Sequence, residues 1–132
     1  MSQRTAQKSA TATSFELVLP PEPELLRVVR LVASGLASLT PLDLDAVEEV
    51  RVAADELVAT LMKASDGAPV RVSFAVTGDG LTIRGTTRTT EPDFAPDPLT
   101  DRILSEVASD HAWSTDGHEV SGRIDHVVPT PR

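Results

Sequence analysis

The chain has 132 residues, 40% of them hydrophobic, and its 20 acidic against 12 basic side chains give a formal net charge of −8. That length suits one domain with a proper core, and no apolar run approaches the roughly 18 residues that span a bilayer. The acidic balance disfavours a nucleic-acid backbone as partner and favours a basic protein surface, while the absence of Cys removes disulfide frameworks, thiolate nucleophiles and Cys-ligated zinc.

Residues 1–13 are polar, lack the ~7–15-residue apolar stretch of a secretory signal, and read as a disordered tail ahead of a single domain over 14–128. Residues 129–132 read as a C-terminal tail, and the whole as a cytoplasmic protein with no membrane partner. SFELVL (14–19) alternates apolar and polar residues before Pro20 and Pro21, which cannot donate to a ladder, so it reads as a short strand. From Glu22, helical spacing of Leu25, Val28, Val29, Val32 and Leu36 predicts helix 1, with Gly35 at its fraying end.

The strongest periodicity follows in Val47, Val50, Ala54, Leu57, Val58 and Leu61, which predicts helix 2, capped by Asp43 or Asp45 and closed by Asp66-Gly67. Val70, Val72, Phe74 and Val76, a Gly-Asp-Gly turn, and Leu81 with Ile83 predict a hairpin. A proline-rich loop over 89–98 leads to a third helix, LTDRILSEVASD, with Leu99, Ile103, Leu104 and Val107 on one face. The stretch from His111 offers a second hairpin around Asp116-Gly117. Helices segregated from hairpins predict α+β: a two-layer sandwich whose mixed or antiparallel sheet is covered on one face by about three helices.

Three stretches, LVLPPEPELLRVVRLVASGLASL, DAVEEVRVAADELVATLMKAS and PVRVSFAVTGDGLTI, resemble the RsbW-type anti-sigma factors and serine-protein kinases, a bacterial branch of the histidine-kinase-like (GHKL) ATPase fold. In that family helix 2 carries a Glu that helps activate the attacking group and, four residues on, an Asn that holds magnesium on the nucleotide's phosphates. Four residues advance a helix about 40° past a full turn, so both side chains project from one face. The resemblance puts Glu56 at the acid, as catalytic base and cofactor contact, and Thr60 at the Asn position, where its hydroxyl is the candidate magnesium ligand.

The sequence departs from the family at three places. Thr60 replaces Asn; after LTIRG the chain continues Thr86, Thr87, Arg88 without the adenine-binding Asp and its closely spaced glycines. The lid-equivalent TTEPDFAPDPLTD lacks glycine, Lys and Arg and carries Glu91, Asp93, Asp97 and Asp101, each of which repels a triphosphate by about 1 kcal/mol at 4 Å in water and by more at lower dielectric. The implied function is an anti-sigma-factor-like regulator that binds a sigma factor or its antagonist with ATP binding lost or weakened, and with no cofactor. The alternative is an active ATP-dependent serine-protein kinase that phosphorylates an anti-sigma factor antagonist and uses ATP and magnesium. A third reading is a regulator that senses ATP without transferring phosphate. In the family helix 1 and nearby surfaces serve dimerisation or partner contact, so a homodimer is among the implied assemblies.

Other residues have competing readings. Glu56 also fits a solvated position on an amphipathic helix. Arg51 and Asp55 form a candidate i, i+4 pair. Arg88 is a candidate phosphate contact or a surface residue. His111, His118 and His126 lack carboxylates or Cys at ligand spacing and read as structural or exposed, and Trp113 as packed between sheet and helix rather than as an interface anchor. The acidic stretch reads as a solvated loop or a contact for a basic partner.

Overall fold

In a computed structural model, residues 13–128 are described. Strand β1 (Thr13–Leu19) leads through a 3-10 turn (Pro23–Leu25) into α1 (Leu26–Ala37) and α2 (Leu44–Ala64). The hairpin β2 (Val70–Val76) and β3 (Gly80–Arg88), helix α3 (Pro98–Val107), and the hairpin β4 (Asp110–Asp116) and β5 (Glu119–Val127) complete the domain. The five strands form one sheet in the order β1-β2-β3-β5-β4, antiparallel throughout, so of the two sheet types left open by the sequence it is the antiparallel one. Thr13, assigned above to the tail, pairs with Val76 as the first residue of β1, while residues 1–12 and 129–132, read as tails, lie outside the described residues. No described helix is long and apolar enough to cross a membrane.

Alternation decides which sheet face is covered. Val70, Val72 and Phe74 of β2, Leu81 and Ile83 of β3, and Val120 and Ile124 of β5 are buried beneath the helices, while Arg71, Arg84 and Glu119 are exposed on the other face. Helix α2 lies centrally, packed on β3 and β5, with α1 and α3 against it. Two glycines allow this approach: a Cβ on Gly85 would run into Leu61 Cδ1, and one on Gly122 would sit 2.5 Å from Leu57 Cδ1 and 2.7 Å from Trp113 Cζ3. Leu57 and Leu61 are fully buried, so they rest directly on strand backbone.

Several local expectations need correction. Helix 1 begins as a 3-10 turn with Pro23 in its first turn and becomes α-helical only at Leu26. Gly35 is not its fraying end: the helix runs on to Ala37, because Leu36 and Ala37 are buried in the core and Ser38 Oγ and Thr40 Oγ1 donate to the carbonyls of Gly35 and Ala37. Between the two cap candidates of α2, Asp43 is the cap; its Oδ1 accepts from Ala46 N at 2.8 Å.

Helix α3 stops at Val107 because Ala108 is extended and Ser109 N donates to Asp125 O, which starts β4 at Asp110. Its inner face holds Thr100, buried, Leu104, fully buried, and Val107, packed against the core, as expected for the last two, whereas Leu99 is 62% exposed.

Candidate functional site

Helix α2 positions the two residues that the resemblance singles out. With the register set by Asp43, residues 50, 54, 57 and 61 point at the sheet, and Asp55 lies on the flank toward α1, where it accepts from Arg30. About 100° per residue puts Glu56 and Thr60 on the opposite flank, where α3 packs. Both are half-buried, and neither side chain makes a hydrogen bond or ion pair among the described residues. They share a face, as their spacing requires.

The chain beyond β3 is tied down beside this flank. Thr89, 1% exposed, bridges Ser65 at the end of α2, and its N–H donates to His118 O at 2.7 Å. His118 Nδ1 donates back to Thr89 O at 3.1 Å; a carbonyl can only accept, so the proton is on Nδ1. Further on, Asp97 caps α3, and Asp101 Oδ1 accepts from both His111 Nε2 and Trp113 Nε1 at 3.1 Å. Phe94 meets Trp113 edge to face with centroids 6.4 Å apart.

Two of the four acids of this stretch are therefore structural fasteners rather than loop charges, whereas Glu91 and Asp93 are exposed. Trp113 packs between sheet and α3 as its sequence context predicts, and its indole N–H fastens the helix to the strand.

The donors here test whether a magnesium nucleotide fits. Seven residues either side of Glu56, Glu49 and Lys63 come within about 20° of it, but Glu49 sits beside His126 and Lys63 lines a cleft with Pro21, Pro23 and Leu26. The Glu56–Thr60 pair therefore offers a carboxylate and a hydroxyl, and the facing segment brings further carboxylates and no cation over 89–101. Gly85, the one glycine between LTI and the third helix, lies under Leu61 rather than in an open turn. A triphosphate needs backbone N–H groups or cations to hold it; this donor set does not fit it.

The remaining candidates lie elsewhere. Arg88 follows Thr87, which is buried under the helix layer and donates to Pro69 O at 3.1 Å, so Arg88 projects from the opposite sheet face, 66% exposed and 4.0 Å from Asp66. It does not converge with Glu56 and Thr60. Arg51 and Asp55 do not pair with each other: Arg51 donates to Glu48 at 2.6 Å, and Asp55 is taken by Arg30 of α1. The three histidines are also dispersed, His111 on Asp101, His118 on Thr89 and His126 beside Glu49 at 3.4 Å, and no metal-ligand cluster occurs among the described residues.

Two groups of residues stand out that the sequence reading passed over. On α1, Val28, Leu31 and the open position of Gly35 lie within about a 60° arc, Leu39 follows in the turn and Leu44 opens α2; Leu31, Leu39 and Leu44 are 74%, 68% and 84% exposed. The signal was Leu31, an apolar residue off the buried period. On the open sheet face, Arg71, Arg84 and Arg123 border one cleft of about 440 Å³. No family model matches the chain, and no curated protein matches it.

Proposed function

We propose that the chain is a regulatory protein-binding module of the RsbW type, a histidine-kinase-like sandwich that sequesters a sigma factor or its antagonist without transferring phosphate. The observation that carries this reading is the apolar group formed by Val28 and Leu31 on the outer face of α1, Leu39 in the turn after it and Leu44 at the start of α2. Exposed apolar residues grouped in this way mark an interaction surface. The resemblance places partner contact in the same region.

Two further features support it. The order strand, two helices, hairpin, helix, hairpin agrees with the resemblance, and the acidic chain suits the basic surfaces that sigma factors carry for DNA, which raises association rate through complementary charge. The flank of Glu56 and Thr60 supports binding over catalysis, because phosphoryl transfer depends on positioning and electrostatic stabilisation that carboxylates oppose.

The test is size-exclusion and calorimetric screening of the full chain against the host's sigma factors and antagonist proteins, with Leu31→Asp as control. The reading requires one partner that binds the wild type and binds Leu31→Asp at least about tenfold more weakly, as a hot-spot loss of ~1.4 kcal/mol or more gives. No partner among these proteins, or a partner indifferent to Leu31→Asp, defeats it.

A further inference from the structure

The strand register assembles a feature on the uncovered sheet face that no stretch of sequence contains by itself. Arg84 of β3 stands directly opposite Arg123 of β5 on one side and Ser73 of β2 on the other. One step along the strands, Arg71 stands opposite Thr86, which stands opposite Ser121. The side chains between these arginines are small, Ser73, Thr86, Ala112 and Ser121 among them, and the result is a cleft of about 440 Å³. That volume is in the range of small-molecule sites.

The electrostatics single out Arg84. Like charges directly opposite across a ladder are unfavourable, and Arg123 is neutralised by Asp125 and, at 3.0 Å, by Asp110. Arg71 reaches Glu16 at 3.5 Å. Arg84 is exposed and makes neither an ion pair nor a side-chain hydrogen bond among the described residues. The lining carries three guanidiniums and the carboxylates of Glu16 and Glu119, and with Asp110 and Asp125 on Arg123 and Glu16 beside Arg71, Arg84 is the guanidinium left without a carboxylate among the described residues. An unpartnered Arg beside a second Arg, at the edge of a pit floored by the small hydroxyl-bearing side chains of Ser73, Thr86 and Ser121, is an arrangement that an anion completes.

We propose that this cleft binds a small phosphate monoester, with Arg84 as the bidentate ligand, Arg71 and Arg123 flanking it, and the Ser73 hydroxyl as a further donor. The guanidinium fork matches phosphate geometry, and Arg84 has no carboxylate that the anion must displace. The site lies on the sheet face away from α1 and does not rest on the partner-binding reading.

The test uses the ¹⁵N-labelled full chain, titrated at constant ionic strength with inorganic phosphate, glycerol 3-phosphate, succinate and chloride. The proposal requires saturable shifts at the amides of Ser73, Arg84, Thr86 and Ser121 with both phosphates, tighter for the ester. Arg84→Gln, a substitution at an exposed position, must weaken binding by about tenfold or more while the spectrum stays dispersed, as loss of a charge-assisted bidentate contact demands. Arg88→Gln, outside the cleft on the same face, must leave it unchanged. Absent or unsaturable shifts, shifts that chloride reproduces, or binding that Arg84→Gln leaves intact overturn the site. Succinate binding as tightly as the ester overturns the assignment to phosphate.

Discussion

Adding one carbon to Gly122 tests the contact on which the two layers depend. In Gly122→Ala the new Cβ falls 2.5 Å from Leu57 Cδ1 and 2.7 and 2.9 Å from Trp113 Cζ3 and Cε3, whereas carbon atoms in contact prefer about 3.5–4.0 Å. Leu57 is fully buried, and Trp113 is held by Phe94 and Asp101, so the strain cannot be relieved by moving one free side chain. Overpacking of this kind costs about 1–3 kcal/mol, and the gain from replacing Gly in a strand offsets roughly 0.5–1 kcal/mol of that. The net expectation is a loss of about 1–2 kcal/mol, which in a chain of this size lowers Tm by roughly 5 °C. Urea unfolding followed by the fluorescence of Trp113, the only Trp, measures it. Leu57→Ala in the same chain makes room, so the double variant must be more stable than the sum of the single losses. A Gly122→Ala protein as stable as wild type would mean that α2 does not lie on β5 as described.

The same added carbon at Gly35 has the opposite sign. No atom lies within 4 Å of a Cβ there, and the residue is helical, so Gly35→Ala gains about 0.5–1 kcal/mol in urea unfolding, and a loss would show that α1 ends earlier than Ala37. Asp110 titrates below the ordinary carboxylate value, chiefly through its hydrogen bond from Arg123, with the Arg123 charge adding to it. Because the folded pKa is the lower one, this contact stabilises the fold above the unfolded pKa, and that contribution is lost as pH falls through the folded pKa. Carboxyl NMR titration must show Asp110 returning toward the ordinary value in Arg123→Gln; an unchanged Asp110 contradicts the pairing.

The sequence makes most of the elements visible because their signals are local. Helix 2 follows from its apolar period and Asp43, and the hairpins follow from alternation on either side of turns at Gly78 to Gly80 and at Asp116-Gly117. What stays hidden depends on contacts between distant segments. Gly85 and Gly122 read as ordinary strand glycines until α2 is laid across them. Asp101 reads as one acid in an acidic loop until His111 and Trp113 arrive from β4, and Leu99 reads as a core residue whereas its neighbour Thr100 is the one buried. Arg84 and Arg123 come face to face only because β5, not β4, pairs with β3. At the candidate site the spacing of Glu56 and Thr60 correctly predicts a shared flank, while Arg88, the candidate phosphate contact, is carried to the other face by strand alternation.

The most direct test of the proposed function is calorimetric titration of ATP with magnesium into the full chain, with Glu56→Ala in parallel. A binding module whose Glu56–Thr60 flank faces carboxylates predicts no micromolar binding and no heat that depends on Glu56, so any weak phosphate binding at the Arg84 cleft must be the same in both proteins. Micromolar binding that Glu56→Ala weakens would contradict that account and make the phosphoryl-transfer reading the leading one.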